Sequence, residues 1–204
     1  MSDEISNVRR ILASNPNTVR EEHDFYATDP IAIDSLIKLG GAKLKEPLLE
    51  CACGKGHLSE RLKEYGYEVR SMDLIDRGYG ETGVDFLQFN EKWNGDIITN
   101  PPFKLSQEFV EHALEILETR GRAYMFLRLQ WLEGLKRKNL YDKMQLKTIY
   151  IFSDRVCCSR HCDFTEGSAV AYAWFEFEKD WNESPRVKWL NTKDLEQGKQ
   201  QTLF

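Results

Sequence analysis

Apolar and polar positions alternate along this chain in two periods, short runs of strand length and longer stripes of helical spacing, which predict a sheet layered between helices. The spacing predicts a helix over 31–39 closed by Gly40 and Gly41, a buried strand over 47–51, a helix over 58–65 stopped at Gly66, and a strand over 67–74. That is a βαβ unit, so its strands should run parallel. Further strands are predicted over 84–86 and 96–99, the second ended abruptly by Pro101 and Pro102. Phe109, Val110, Ala113, Leu114 and Leu117 make a helical stripe within 106–118, with Ser106 placed to cap it. A strand over 123–129, a basic helix over 132–141 and two strands over 148–152 and 169–177 complete the pattern. The expected fold is α/β, a mostly parallel sheet flanked by helices. Its single domain, 23–180, lies between a polar segment, 1–22, and a loosely attached polar tail, 181–204.

Composition narrows this picture. A chain of 204 residues, 41% hydrophobic and 30% charged, suits one ordinary α/β domain. Its apolar runs fall far short of the roughly 20 residues of a membrane helix, and 1–20 lacks the apolar run of an export signal. A cytoplasmic protein with no membrane contact is expected. Five cysteines, an odd number, then read as reduced thiols. Cys157, Cys158, His161 and Cys162 share a loop, but their order lacks the paired spacing that lets two ligands share a tetrahedral metal, so no metal is expected.

The net charge of −5 argues against indiscriminate coating of nucleic acid, yet it is unevenly placed. Residues 120–160 hold 10 basic and 3 acidic residues, or +7; the remainder holds 18 and 30, or −12. Arg128, Lys136, Arg137, Lys138, Arg155 and Arg160, all in the basic stretch, are candidate phosphate contacts. A solvated helix face around Lys136 is the alternative.

Candidate chemistry begins at Glu50-Cys51-Ala52-Cys53-Gly54-Lys55-Gly56, where a strand gives way to a helix. The glycines let a ligand approach the backbone closely. A dinucleotide site would want a third glycine three residues after Gly56, and Ser59 stands there. Glu50, four residues before the first glycine, suits instead a ligand with a cationic amino group lodged over the turn, as S-adenosylmethionine has. Asp73, with Leu74 beside it, ends the next strand, where a carboxylate can accept both hydroxyls of a ribose. Asp85 and Phe86 can accept from an adenine amino group and cover its ring. The alternatives are a structural turn at Glu50 and ordinary loop acids at Asp73 and Asp85.

Asn100-Pro101-Pro102-Phe103, directly after a strand, is more specific. An aromatic amine is a poor nucleophile because its lone pair is delocalised into the ring. Two acceptors, the Asn100 side-chain oxygen and the Pro101 carbonyl, can each take one amino hydrogen and oppose the positive charge that develops on nitrogen. The prolines stiffen the turn, and Phe103 offers a face for an extruded base.

These four elements occur in the order, and at the strand ends, that one adenosyl ligand and one flat substrate require. Here the chain resembles Rossmann-like S-adenosylmethionine-dependent methyltransferases, and more closely the small adenine-specific enzymes often carried by bacteriophages. The resemblance runs from about Asp24 to Lys179 and implies a seven-stranded sheet. It implies that the Glu50 turn, Asp73 and Asp85-Phe86 hold the cofactor and that Asn100 to Phe103 is catalytic. His23-Asp24-Phe25-Tyr26-Ala27-Thr28-Asp29-Pro30 is similar to the family's N-terminal motif, in which Tyr26 and Thr28 would line the methionine end of the cofactor. Leu127 to Gly134 with Arg137, and Ala173-Trp174-Phe175, resemble its later strands; core packing is the alternative for Trp131 and Trp174.

No segment is long enough for the separate target-recognition domain of larger DNA methyltransferases. The expected activity is methylation of the exocyclic amino group of adenine in DNA, leaving S-adenosylhomocysteine as product. The same chemistry on structured RNA, methylation of a protein glutamine, and a non-catalytic subunit keeping the fold remain alternatives. Finally, Gln200-Gln201-Thr202-Leu203-Phe204 resembles the short peptide by which bacterial DNA-processing proteins attach to the sliding clamp, making that clamp a candidate partner. Packing of Leu203 and Phe204 back onto the sheet is the alternative.

Overall fold

The computed structural model describes residues 26–133, 145–159, 162–165 and 168–197. In chain order it contains β1 (Ala27–Thr28), α1 (Ile31–Asp34) running into a π turn (Ser35–Leu39), β2 (Leu48–Glu50), α2 (His57–Glu64), β3 (Val69–Asp73), β4 (Glu81–Thr82) and β5 (Ile97–Thr99). It continues with α3 (Ser106–Ile116), β6 (Arg122–Arg128), β7 (Leu146–Phe152), β8 (Cys158–Ser159), β9 (Tyr172–Glu178), β10 (Arg186–Leu190) and α4 (Lys193–Glu196). Eight strands form one sheet in the order β10-β7-β9-β6-β5-β2-β3-β4, and β1 pairs with β8 in a small ribbon. Among the described residues only β9 runs antiparallel to its sheet neighbours, β6 and β7.

The sheet is buried on both faces, as a sheet with helical crossovers requires. Leu49, Ile97, Met125, Ile149 and Phe175 turn to one side, where α3 contributes Phe109, Val110, Ala113 and Ile116. Leu48, Ile98, Tyr124, Phe126 and Trp174 turn to the other, against Ile33 and Leu36 and against Leu58 and Leu62 of α2. Trp131 and Trp174 are core residues, 5% and 0% exposed, with their indole N–H groups bonded to Ser106 Oγ and the Ala32 carbonyl. Among the described residues no helix is long and apolar enough to cross a membrane.

Two expectations are corrected. Residues 84–86 are not a strand: the Asp85 carboxylate accepts from Leu87 N–H at 3.0 Å and caps a tight turn over Phe86–Gln88. A local side-chain bond competes with the ladder there, and β4 takes the place beside β3. Of the helix expected over 132–141, residues 134–141 lie outside the described part; just before it, Leu129–Leu132 form a 3₁₀ turn. The stretch read as a polar tail supplies β10, which pairs with β7 from Arg186 to Leu190 and adds an eighth strand to the expected seven. Its polar composition is that of an edge: Arg186, Val187 and Trp189 are exposed, whereas Leu190 is buried.

The topology fixes where a ligand can bind. From β2 the chain steps outward to β3 and β4, returns to β5 beside β2, and then proceeds the opposite way to β6. A crevice opens where the direction reverses, outside the carboxyl ends of β2 and β5.

Candidate active site

A cavity of about 370 Å³ occupies this crevice, within the range of small-molecule sites. Glu50, Cys51, Ala52 and Gly54 wall it from the turn after β2, Asp73 and Leu74 from the end of β3, Asp85 and Phe86 from the tight turn, and Asn100 to Phe103 from the end of β5. Tyr26 and Thr28 close it from the N-terminal side.

The turn after β2 is built for close approach. Cys53 N–H donates to the Met72 carbonyl at 3.0 Å, tying the turn to β3, and Gly54 N–H donates to Asp73 Oδ2 at 2.8 Å. Asp73 Oδ1 accepts from Ile75 N–H at 2.8 Å, so both oxygens are held in place while each keeps a further lone pair. Gly56 does not line the cavity. Its φ of 84° opens α2 in the left-handed region, and a Cβ there would come within 2.6 Å of the Tyr79 ring. Gly56, expected among the cofactor-binding residues, thus packs closely against Tyr79.

Glu50 is 2% exposed and accepts a short hydrogen bond from Ser59 Oγ, which lies 2.6 Å from Ser71 Oγ. Burial pushes its pKa up to about 8. Such a carboxyl ionises readily only when a cation is placed against it, which fits an ammonium group. Ser59, which argued against a dinucleotide site, here holds the acid itself.

Asn100 carries the sharpest geometry. Its Nδ2 donates to the Tyr26 carbonyl at 3.1 Å and to Thr28 Oγ1 at 2.9 Å, and lies 3.5 Å from Cys158 Sγ. Its Oδ1 is buried and has no hydrogen-bond partner among the described residues. The amide nitrogen is fully engaged and the oxygen is vacant, a buried acceptor that a ligand N–H would satisfy. Thr28, expected at the methionine end of a cofactor, directs its hydroxyl to this amide. The Pro102 carbonyl accepts from Leu105 N–H at 2.9 Å, whereas no described N–H takes the carbonyl of Pro101.

Phe103 is surrounded more closely than its sequence predicts. The Arg128 guanidinium lies 4.2 Å from its ring centroid, and the rings of Tyr26 and Tyr172 stand 5.3 and 6.0 Å away. The ring is therefore packed by Arg128, Tyr26 and Tyr172 together. Phe86 likewise differs: it is 2% exposed, with its ring against Phe109 and His112, so it supports the floor from within the core. Exposed apolar surface at the rim comes from Leu74 and Leu105, 56% and 41% exposed.

Of the other basic candidates, Arg155 is exposed and outside the cavity lining; Lys136, Arg137, Lys138 and Arg160 lie outside the described residues, as does Gln200 to Phe204. Sequence reasoning missed His57, Arg77 and Lys104, which line the cavity, and Cys158 and Tyr172, which contact Asn100 and Phe103 from β8 and β9. His57 directly follows the glycine turn, a position that was readable; Cys158 and Tyr172 arrive by long-range pairing that no local pattern announces.

No protein-family model matches the sequence, and a comparison with curated proteins gives no match. Solved structures match the fold. A putative class I S-adenosylmethionine-dependent methyltransferase from Listeria monocytogenes aligns with a TM-score of 0.58 at 14% identity, covering 92% of this chain and 71% of that one. The EcoKI M protein of a type I restriction enzyme gives 0.57 at 16%, covering 84% of this chain and 49% of its own. A putative hemolysin from Lactococcus lactis gives 0.57 at 13%, covering 88% and 98%. At these identities the likeness is one of fold. The chain has the fold of class I methyltransferases, a large mostly parallel sheet flanked by helices.

Proposed function

We propose that this protein is an S-adenosylmethionine-dependent methyltransferase acting on the exocyclic amino group of adenine in DNA. The observation that carries the proposal is the Asn100 amide: nitrogen saturated, oxygen buried and vacant, at the wall of a cavity at the switch point of the sheet. Such a group presents only an acceptor, so the reacting atom it selects bears hydrogen. The EcoKI M protein, similar in fold, is a DNA adenine methyltransferase, which lends direction to the choice of base and polymer.

In this reading Glu50 receives the ammonium group of the cofactor, the Asp73 carboxylate its ribose hydroxyls, and Leu74 and Asp85 its adenine. When bound, the cofactor supplies an electrophilic methyl group on a sulfonium. Asn100 Oδ1 and the Pro101 carbonyl each accept one amino hydrogen of the flipped base, and Phe103 stacks on its ring. Charge growing on the nitrogen meets two fixed dipoles, so no strong base is required; the surplus proton leaves after transfer. Arg128 contacts the flipped nucleotide's surroundings, and Lys136, Arg137, Lys138, Arg155 and Arg160 contact phosphates. The Gln200 to Phe204 peptide tethers the enzyme to a bacterial sliding clamp; deleting it is expected to abolish clamp binding and leave thermal stability unchanged.

The experiment is Asn100→Ala. Turnover is expected to fall by about a hundredfold or more, while affinity for S-adenosylhomocysteine stays within about twofold, as loss of a transition-state acceptor does. Undiminished turnover would remove Asn100 from catalysis and the proposal with it.

A further inference from the structure

An acceptor at Asn100 is useful only while the amide keeps its present orientation; rotated by half a turn, it would present N–H groups to an amine that itself donates. The structure shows what opposes that rotation. The Tyr26 carbonyl, a pure acceptor, faces Nδ2, and Thr28 Oγ1 and Cys158 Sγ lie beside it. Thr28 and Cys158 are direct partners in the register of β1 and β8, so these contacts meet only while that two-residue ribbon is paired. A further bond from Asp29 N–H to the Cys157 carbonyl, 3.1 Å, extends the ribbon.

We infer that Cys158 is a positioning residue for Asn100, its sulfur accepting from Nδ2 and, with Thr28, turning the amide oxygen toward the reacting amine. The inference rests on the reading of Asn100 as the amine's acceptor and deepens it. The buried Oδ1, with no hydrogen-bond partner among the described residues, agrees with a held orientation: an amide free to rotate would pair that oxygen with a donor. Burial pushes the Cys158 pKa up to about 11, so the thiol is neutral; its S–H can point to the Tyr26 carbonyl, 4.0 Å away, while a sulfur lone pair faces Nδ2, and the Tyr172 hydroxyl hydrogen-bonds to it. Tyr172 also packs on Phe103, so one side chain touches both the sulfur and the stacking surface. The adjacent cysteines, read from the sequence as reduced thiols, divide their work: Cys157 is buried with Sγ toward the Asp163 carbonyl, and Cys158 serves the site.

The test compares Cys158→Ala with Cys158→Ser in the full-length protein. Alanine removes one acceptor, and serine restores one. For Cys158→Ala, kcat on DNA is expected to fall about three- to tenfold with the KM for S-adenosylmethionine unchanged, the scale of one hydrogen bond. Cys158→Ser is expected to recover most of the loss. A second readout needs no turnover: the Asn100 side-chain amide resonances, assigned by their disappearance in Asn100→Asp, should shift and exchange faster in Cys158→Ala but remain protected in Cys158→Ser. Unaltered Asn100 resonances in Cys158→Ala, or a serine variant as impaired as alanine, would overturn the inference. If the wild-type protein methylates no nucleic acid, the functional reading fails, and the resonances still decide this one.

Discussion

Glu50 shows how one buried group links binding to pH. Its pKa of about 8 lies above the ordinary value of 4.5, so the folded protein holds this proton more tightly than the unfolded chain does. The stability it contributes is full below about pH 4.5 and is lost as pH rises through about 8. Without ligand, Glu50→Gln is therefore expected to flatten the decline of Tm between pH 5 and pH 8. Cofactor binding runs the other way: an ammonium placed against Glu50 requires the carboxylate, so affinity for S-adenosylhomocysteine should rise over the same range. Calorimetry at pH 7 in buffers of differing ionisation enthalpy should show release of up to about one proton on binding. Binding without proton release would place the ammonium elsewhere.

Asp73 was legible from its position after a strand, but its second task was not. It holds Gly54 N–H and Ile75 N–H as well as facing the cavity, so Asp73→Ala would disturb the turn along with any ligand. Asp73→Asn, which keeps an acceptor, should weaken S-adenosylhomocysteine by about 1–3 kcal/mol through loss of a charged acceptor. Equal affinity by titration would remove the ribose role.

Among the elements, the segments read correctly are those whose burial imposes a period. β2 and β5 are fully buried, and α3 has its apolar stripe on one core. The errors fall where another constraint competes: an Asx cap at Asp85 displaced a strand, and the polar face of edge strand β10 made it look like tail. Gly56 tests the reading of the turn. Gly56→Ala meets both the Tyr79 ring and a φ of 84°, and should cost about 1–2 kcal/mol in urea denaturation. A neutral result would show that the Tyr79 loop yields freely. For the basic segment, replacing Lys136, Arg137 and Lys138 with Gln is expected to weaken DNA binding and flatten its salt dependence by up to about three phosphate contacts. An unchanged salt slope would return these side chains to a solvated face.

At the scale of the whole molecule, an acidic chain carries a basic stretch whose ends, β6 and β7, lie on the half of the sheet reached after the switch point. The fold places a cavity at that reversal, and Glu50, Asp73 and Asn100, which line it, were singled out from the sequence because strand ends carry local signals. What joins those ends to Cys158, Tyr172 and Arg128 is tertiary pairing across more than a hundred residues of chain in one case, which no local period encodes. The central claim is methyl transfer to adenine. The measurement is incubation of the wild-type protein with methyl-labelled S-adenosylmethionine and separate DNA and RNA pools, followed by digestion to nucleosides. Label in N6-methyladenine from DNA is the predicted result; label confined to RNA, to another base, or to no nucleoside would contradict it.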